Sequence, residues 1–286
     1  LEWDTYSINV DGGPYQLAGS IPLLPISLDP GTTQDLRLIL EPVNEKSLLI
    51  NVKDLGSDLP LSDASVNLTS TGGYDETLIA GRGFLSQNDW SGGSGQEDFI
   101  DLDRYFSSSD VDVLESVGEL KLTKIIVDDY ALSGVLESST FDTGSASNFH
   151  RVTWLPQDQP VETGTSSVKV QVATNNDGLN WEFLGPDGTD QTFYTQTEHN
   201  INSVHNGDRF LRYKVYLSTE DQTKTPTVSD VSFTFTSDCV PPGQVFFSGL
   251  SAGDYQLDIS RSGYQDYSQV ITVSDAWQKT DVSLSP

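Results

Sequence analysis

The chain has 286 residues, with 42 acidic against 15 basic side chains, a formal net charge of −27, 36% apolar residues and one cysteine, Cys239. So acidic a surface repels phosphate backbones and anionic headgroups, which excludes nucleic acid and disfavours membranes as partners. A single cysteine excludes a disulfide framework, no apolar run is long enough to span a bilayer as a helix, and the chain is too apolar to be disordered.

The opening LEWDTYSINV reads as the middle of a sheet. With no Met anywhere, position 1 included, the chain is expected to begin after a cleavage or to be a fragment. Period-two alternation then recurs in LLINVKD (48–54), ASVNLTS (64–70), GELKLTKI (118–125), SSVKVQVAT (166–174), RFLRYKVYL (209–217) and VSDVSFTFT (228–236). Apolar residues on one face and polar ones on the other describe half-buried antiparallel strands. Turn signals separate them: Gly12-Gly13-Pro14, Gly72-Gly73, Pro186-Asp187-Gly188, Asn206-Gly207 and Pro241-Pro242-Gly243. Asn176-Asp177-Gly178 lies between two strand patterns and predicts a hairpin. Only residues 110–117 suit a short helical turn. The predicted class is all-β, with several sandwiches in series.

Residues 255–286 repeat the pattern of 6–42. Each segment opens on Tyr in an alternating strand and reaches a second Tyr nine residues on (Tyr15, Tyr264). Each then runs through a strand (LLPISL, QVITVS) to a last strand ending in LILEP or SLSP. Residues 243–264, GQVFFSGLSAGDYQLDISRSGY, form half of a small sandwich, which cannot bury its own inner face. The only matching first half is SLLINVKDLGSDLPLSDASVNL, far upstream from residue 47 on. Strand 245–250 is therefore expected to share a sandwich with 48–53.

These motifs, Pro-Leu-x-x-Ala-x-Val-x-Leu and Phe-x-Gly-Leu-x-x-Gly-x-Tyr-x-Leu with the trailing Ser-Gly-Tyr, resemble the carboxypeptidase-regulatory-like (Cna-B-like, transthyretin-like) β-sandwich. The block between them, with SGVLESSTFDTG, VQVATNNDGLNWEFLGPDGT and NGDRFLRYKVYLSTEDQTKTPTVSDVSFTF, is similar to a discoidin or carbohydrate-binding type of jelly roll. Both modules recur in bacterial prepilin-like, type IV pilin-related surface proteins. The expected arrangement is the C-terminal part of a first sandwich (1–43), a split second sandwich (44–94 plus 240–286) and an inserted jelly roll (95–239). The resemblance also implies a Lys–Asn isopeptide in some members. Here Lys53 ends the first strand but the last strand, DVSLS, holds no Asn, so no cross-link is expected.

Catalytic chemistry has little to build on. His150, His199 and His205 all fall in the inserted block, without a Gly-x-Ser-x-Gly elbow, HxxxH or CxxC, and no catalytic residue is assigned. Calcium, which takes six to eight oxygen ligands, is the ion the loops suit in a structural role; the candidates are Asp142, Asn148, Asp177, Asp187 and Asp190, although none matches EF-hand spacing and each also suits a simple turn. Trp90, Trp181 and Tyr194 are the candidates for stacking on a sugar ring. Trp181 shares parity with Phe183 in NWEFLG, as core-facing residues do, and Trp90 in Gly-rich NDWSGGSG reads as exposed or packed at a seam. The functional expectation is a non-enzymatic, extracellular cell-surface protein, a pilin-like filament subunit or adhesin. Its expected partners are other copies, other surface subunits, glycans or host-cell surfaces. The alternative is a carbohydrate-binding module of a larger secreted or surface protein.

Overall fold

The period-two runs emerge as strands in the computed structural model, which describes residues 4–10, 12–95, 102–126, 129–197 and 199–286. Among these residues the only helical elements are single 3-10 turns at Val161–Thr163 and Ser203–His205, so the chain is all-β. It forms two compact units, one of Leu1–Gly83 and Cys239–Pro286, the other of Phe84–Asp238.

The first unit contains β1 (Thr5–Tyr6), β2 (Tyr15–Ile21), β3 (Ile26–Ser27), β4 (Arg37–Pro42), β5 (Lys46–Asp54), β6 (Ser65–Thr69) and β7 (Asp75–Ile79). In a numbering that runs through the whole chain, β22 (Gln244–Leu250), β23 (Gly253–Ser260), β24 (Tyr267–Val273) and β25 (Trp277–Leu284) complete it. Sheet β22-β5-β25 and sheet β24-β23-β6-β7 share one core. Alternate residues supply it: Leu48, Ile50 and Val52 from β5, Val66 and Leu68 from β6, Leu257 and Ile259 from β23, Val282 and Leu284 from β25. Burying each such side chain contributes about 1.5–3 kcal/mol. The pairing expected between the two distant halves is present, with Val245 opposite Ile50 and Phe247 opposite Leu48, while β25 runs parallel to the other edge of β5.

Two motif residues act as fasteners. The Tyr255 hydroxyl, on a buried ring, donates to the Ser251 carbonyl at 3.1 Å and closes the Gly-Leu-x-x-Gly-x-Tyr turn. The Tyr264 hydroxyl donates to Asp54 Oδ2 at 2.9 Å, tying the Ser-Gly-Tyr turn to the end of β5. Gly243 starts β22 at φ +65°, where a Cβ would lie 2.7 Å from both the Leu61 nitrogen and the Val52 oxygen. Only glycine fits there.

β5 differs from the half-buried strand its alternation predicts, because both of its faces are covered. Ser47, Leu49 and Asn51 are buried on the face away from the sandwich core. Ser47 Oγ donates to Gln16 Oε1 at 2.7 Å, and the Gln244 amide pairs with the Ser20 backbone, accepting from its N–H and donating to its carbonyl. Leu17, Leu24 and Ile26 form a second, smaller cluster there, closed by Trp277, whose indole N–H donates to the Leu17 carbonyl at 2.7 Å.

The internal repeat is visible in register. Tyr6 pairs with Ile26 and Thr5 with Ser27, as Tyr255 pairs with Ile271 and Asp254 with Thr272. It ends at the last strand: β4 pairs antiparallel with β2, whereas β25 pairs parallel with β5.

The second unit contains β8 (Gly83–Gln87), β9 (Gly93–Ser94), β10 (Arg104–Ser109), β11 (Val111–Asp112), β12 (Leu120–Leu122), β13 (Lys124–Ile126) and β14 (Asp129–Tyr130). It continues with β15 (Ser133–Ser138), β16 (Phe141–Leu155), β17 (Val168–Asn175), β18 (His199–Asn200), β19 (Asp208–Ser218), β20 (Thr227–Val228) and β21 (Asp230–Ser237). β16 organises it. Its first residues pair with β19; from Ser147 on it pairs with β21, and the register shifts between at Gly144, which sits at φ +80°. Tyr213 of β19 packs against Phe141 and Phe233, with ring centroids 6.2 and 5.6 Å apart, so residues from both stretches meet in the core. The helical turn expected at residues 110–117 is instead β11 followed by a turn in which Asp112 Oδ1 accepts from the N–H groups of Leu114 and Glu115. A short side-chain acceptor offers the backbone an alternative to helix at this point.

Candidate functional site

β19 alternates strictly. Leu211, Tyr213, Val215 and Leu217 are buried, which turns Arg212, Lys214 and Tyr216 to the opposite, outer face. β17 runs along one edge, with Lys169 opposite Tyr216 and Gln171 opposite Lys214; β15 runs along the other, with Glu137 opposite Lys214.

The hairpin predicted at Asn176-Asp177-Gly178 folds the chain back on β17. Val172 bridges Leu184 and Val170 bridges Tyr194. Those bridges bury Leu184 and Tyr194, so the odd-numbered Trp181, Phe183 and Phe193 fall on the outer face. The shared parity of Trp181 and Phe183 is therefore real, but Leu184 occupies the core position and the two aromatics lie outside, half-buried.

Three tiers result. The Arg212 guanidinium lies 4.3 Å from the Phe106 ring centroid and 4.6 Å from that of Trp181, while Nη1 pairs with Glu137 at 2.8 Å and Nε donates to Thr140 at 2.8 Å. Lys214 Nζ lies 4.0 Å from the Phe183 centroid and 3.3 Å from the second Glu137 oxygen. Lys169 Nζ lies 5.6 Å over Phe193, whose ring meets Tyr216 edge to face at 5.1 Å. Partly desolvated cation–ring pairs of this kind are worth about 0.5–2 kcal/mol each. Burial, then the Glu137 charge, raises the Tyr216 phenol pKa and keeps it protonated; it donates to Gln171 Oε1 at 2.8 Å. Gln171, itself buried, holds the loop beneath by donating to the Asp190 and Thr192 carbonyls. Beside the third tier is a cleft of about 370 Å³ whose walls include Ser109, Asp110, Ser133, Lys169, Phe193, Tyr216 and Ser218.

The other predicted site residues lie elsewhere. Trp90 is 1% exposed, and its indole N–H donates to the Tyr213 hydroxyl at 3.0 Å. The expectation of a ring exposed or packed at a seam is corrected: the Gly-rich stretch turns tightly enough to sink the indole into the core, where Tyr213 satisfies its one donor. Tyr194 is fully buried and accepts from the Asn202 N–H at 3.0 Å. Neither ring offers a face to a ligand.

The oxygen-bearing candidates serve their own turns. Asp142 is clasped by Arg209 through two 2.7 Å bonds, which, with the Gly144 N–H, hold its carboxyl below the usual range. Asp177 accepts from the Leu179 and Asn180 N–H groups, and Asp187 from Thr192 and Thr189; these bonds lower both pKa values. Asp190 accepts from Gln191, and Asn148 is exposed on β16, opposite Thr236 of β21. Among the described residues no three His, Cys, Asp or Glu side chains gather to hold a metal ion.

The histidines also stand apart. His199 meets Tyr194 edge to face, and His150 bonds Thr236. His205, 2% exposed, bonds Thr174 Oγ1 through Nδ1 at 3.0 Å. Thr174 donates its one hydroxyl hydrogen to Asp208, so it is not activated as a nucleophile by the imidazole. Nε2 of His205 is buried without a partner, and burial lowers the imidazole pKa to about 4.

Sequence reasoning named Trp181 and its neighbour Phe183 but missed Phe106, Lys169, Arg212, Lys214 and Tyr216. The available signal was RFLRYKVYL: its non-core positions carry cations and an aromatic ring in a chain poor in cations. The chain matches no protein-family model, no curated protein and no solved structure.

Proposed function

We propose that the protein is a non-enzymatic, extracellular cell-surface protein, an adhesin or pilin-like filament subunit. In this reading it is built from Cna-B-like sandwiches and an inserted jelly-roll module, and it contacts its target through the outer face of β19. The observation that carries the reading is the three-tier ladder itself. A chain with 42 acids and 15 bases sets Lys169, Arg212 and Lys214 among five aromatic rings on one sheet face, with Phe106 half exposed. Aromatic and Arg side chains that combine area with a polar edge are the residues enriched where proteins bind. The histidines and carboxylates, occupied one by one in turns and core contacts, support a binding role over a catalytic one.

The test compares wild type with the Phe106→Ala/Trp181→Ala double variant in cell attachment, glycan-array binding and sedimentation. Attachment or assembly that falls at least about tenfold in the variant, with unchanged circular dichroism, supports the reading; the loss of a ring contact of ~1.4 kcal/mol corresponds to that factor. Attachment insensitive to the double variant overturns it. The half-exposed rings of the first tier also favour the second reading, a carbohydrate-binding module of a larger protein. Face-dependent glycan binding without attachment or assembly would select it.

A further inference from the structure

The cleft beside the third tier has a composition that narrows the ligand, given the binding-face reading on which this step rests. Its volume of about 370 Å³ sits at the small end of ligand sites, which run from ~300 Å³ upward. Three hydroxyls line it, those of Ser109, Ser133 and Ser218, together with the half-buried rings of Phe193 and Tyr216. Asp110 forms part of the wall at φ +55°, in left-handed backbone that non-glycine residues seldom adopt. Gly134 makes that backbone possible, since a Cβ there would stand 2.5 Å from the Asp110 oxygen.

The cations of this face are not equally satisfied, and the one that lines the cleft is the unmatched one. Arg212 and Lys214 share Glu137, whereas Lys169 has no carboxylate partner among the described residues, and its ammonium meets only the Phe193 ring. The Asp110 carboxylate accepts from Ser109 Oγ at 2.9 Å. A ligand that complements this cleft carries an anionic group for Lys169, hydroxyls for Asp110 and the serines, and a non-polar ring face for the aromatics. A neutral sugar leaves Lys169 unmatched, and an inorganic anion leaves the rings and Asp110 unused. We infer that this cleft binds an acidic saccharide of the uronic-acid class, with the sugar carboxylate on Lys169.

The experiment is calorimetric titration of the full chain with a galacturonic-acid trimer and with its methyl-esterified counterpart, at moderate salt, where the long-range repulsion from the chain's net charge is screened. The acid is expected to bind about tenfold or more tighter than the ester, as one charge-assisted hydrogen bond in a partly desolvated site implies. Lys169→Gln should bring the acid down to the affinity of the ester and leave ester binding unchanged; Lys169→Arg should retain the preference. Equal binding of acid and ester, or a Lys169→Gln variant that binds like wild type, overturns the assignment. Self-association abolished by Lys169→Gln, without saccharide binding, also overturns it and makes a second acidic copy the occupant. If acid and ester bind alike while Phe106→Ala/Trp181→Ala still abolishes attachment, only this inference fails. If neither saccharide binds and attachment ignores the face, the binding-face reading fails with it.

Discussion

Replacing Tyr213 by Phe removes one oxygen from the centre of the second unit. That hydroxyl accepts from Trp90 Nε1 at 3.0 Å and donates to Gln87 Oε1 at 2.7 Å. The Gln87 amide nitrogen in turn donates to the carbonyls of Asp89, Leu102 and Arg104, so the amide cannot turn to seek another partner without breaking those bonds. All three side chains are buried. The substitution leaves an indole N–H and an amide oxygen unpaired, at about 1–3 kcal/mol each. A total near 3 kcal/mol is expected, a drop of about 6–12 °C in the unfolding midpoint of a unit of this size. Urea unfolding followed by tryptophan fluorescence and circular dichroism measures it. The double variant Tyr213→Phe/Trp90→Phe removes the stranded N–H, so it should cost less than the sum of the single variants by about 1 kcal/mol or more. A Tyr213→Phe cost under about 1 kcal/mol, additive with Trp90→Phe, would refute the network as a source of stability.

The buried His205 predicts a pH dependence. Its unfolded form takes up a proton near pH 6.5 and its folded form only near 4, so stability falls as pH drops through that window. Comparing unfolding free energies of wild type and His205→Gln, the wild-type advantage should shrink by about 2–3 kcal/mol between pH 7 and 4.5, and a constant difference would show that His205 titrates normally. Gly243→Ala should destabilise the first unit by about 2 kcal/mol or more, since it adds left-handed strain and a Cβ overlapping two backbone atoms; a change within experimental error in thermal unfolding would mean that the β5–β22 junction relaxes freely. Because Asp142, Asp177 and Asp187 already hold donors from their own turns, millimolar Ca²⁺ is expected to leave the unfolding midpoint where EDTA leaves it. A midpoint that rises with Ca²⁺ would show the loops re-forming around the ion.

The sequence by itself determined the strands, the all-β class and the pairing of residues 48–53 with 245–250. Period-two alternation and turn chemistry are local properties, and a half sandwich with an unburied face requires a matching half. The turn at Pro241-Pro242-Gly243 and the hairpin at Asn176-Asp177-Gly178 were readable for the same reason. Only the tertiary structure decided which way each aromatic points. Trp90 looked exposed or packed at a seam because its neighbours are glycines, yet Tyr213, more than a hundred residues away, holds it inside. Trp181 and Phe183 have core parity, yet Leu184 and Tyr194 bridge β17 and take the inward places. β5 reads as half-buried, yet β2 covers its second face. Alternation shows that two faces differ, but what covers a face depends on residues distant in sequence. The face of cations and aromatic rings on β19 is of that kind: its rings and cations come from five separate stretches of chain, and no local pattern links them.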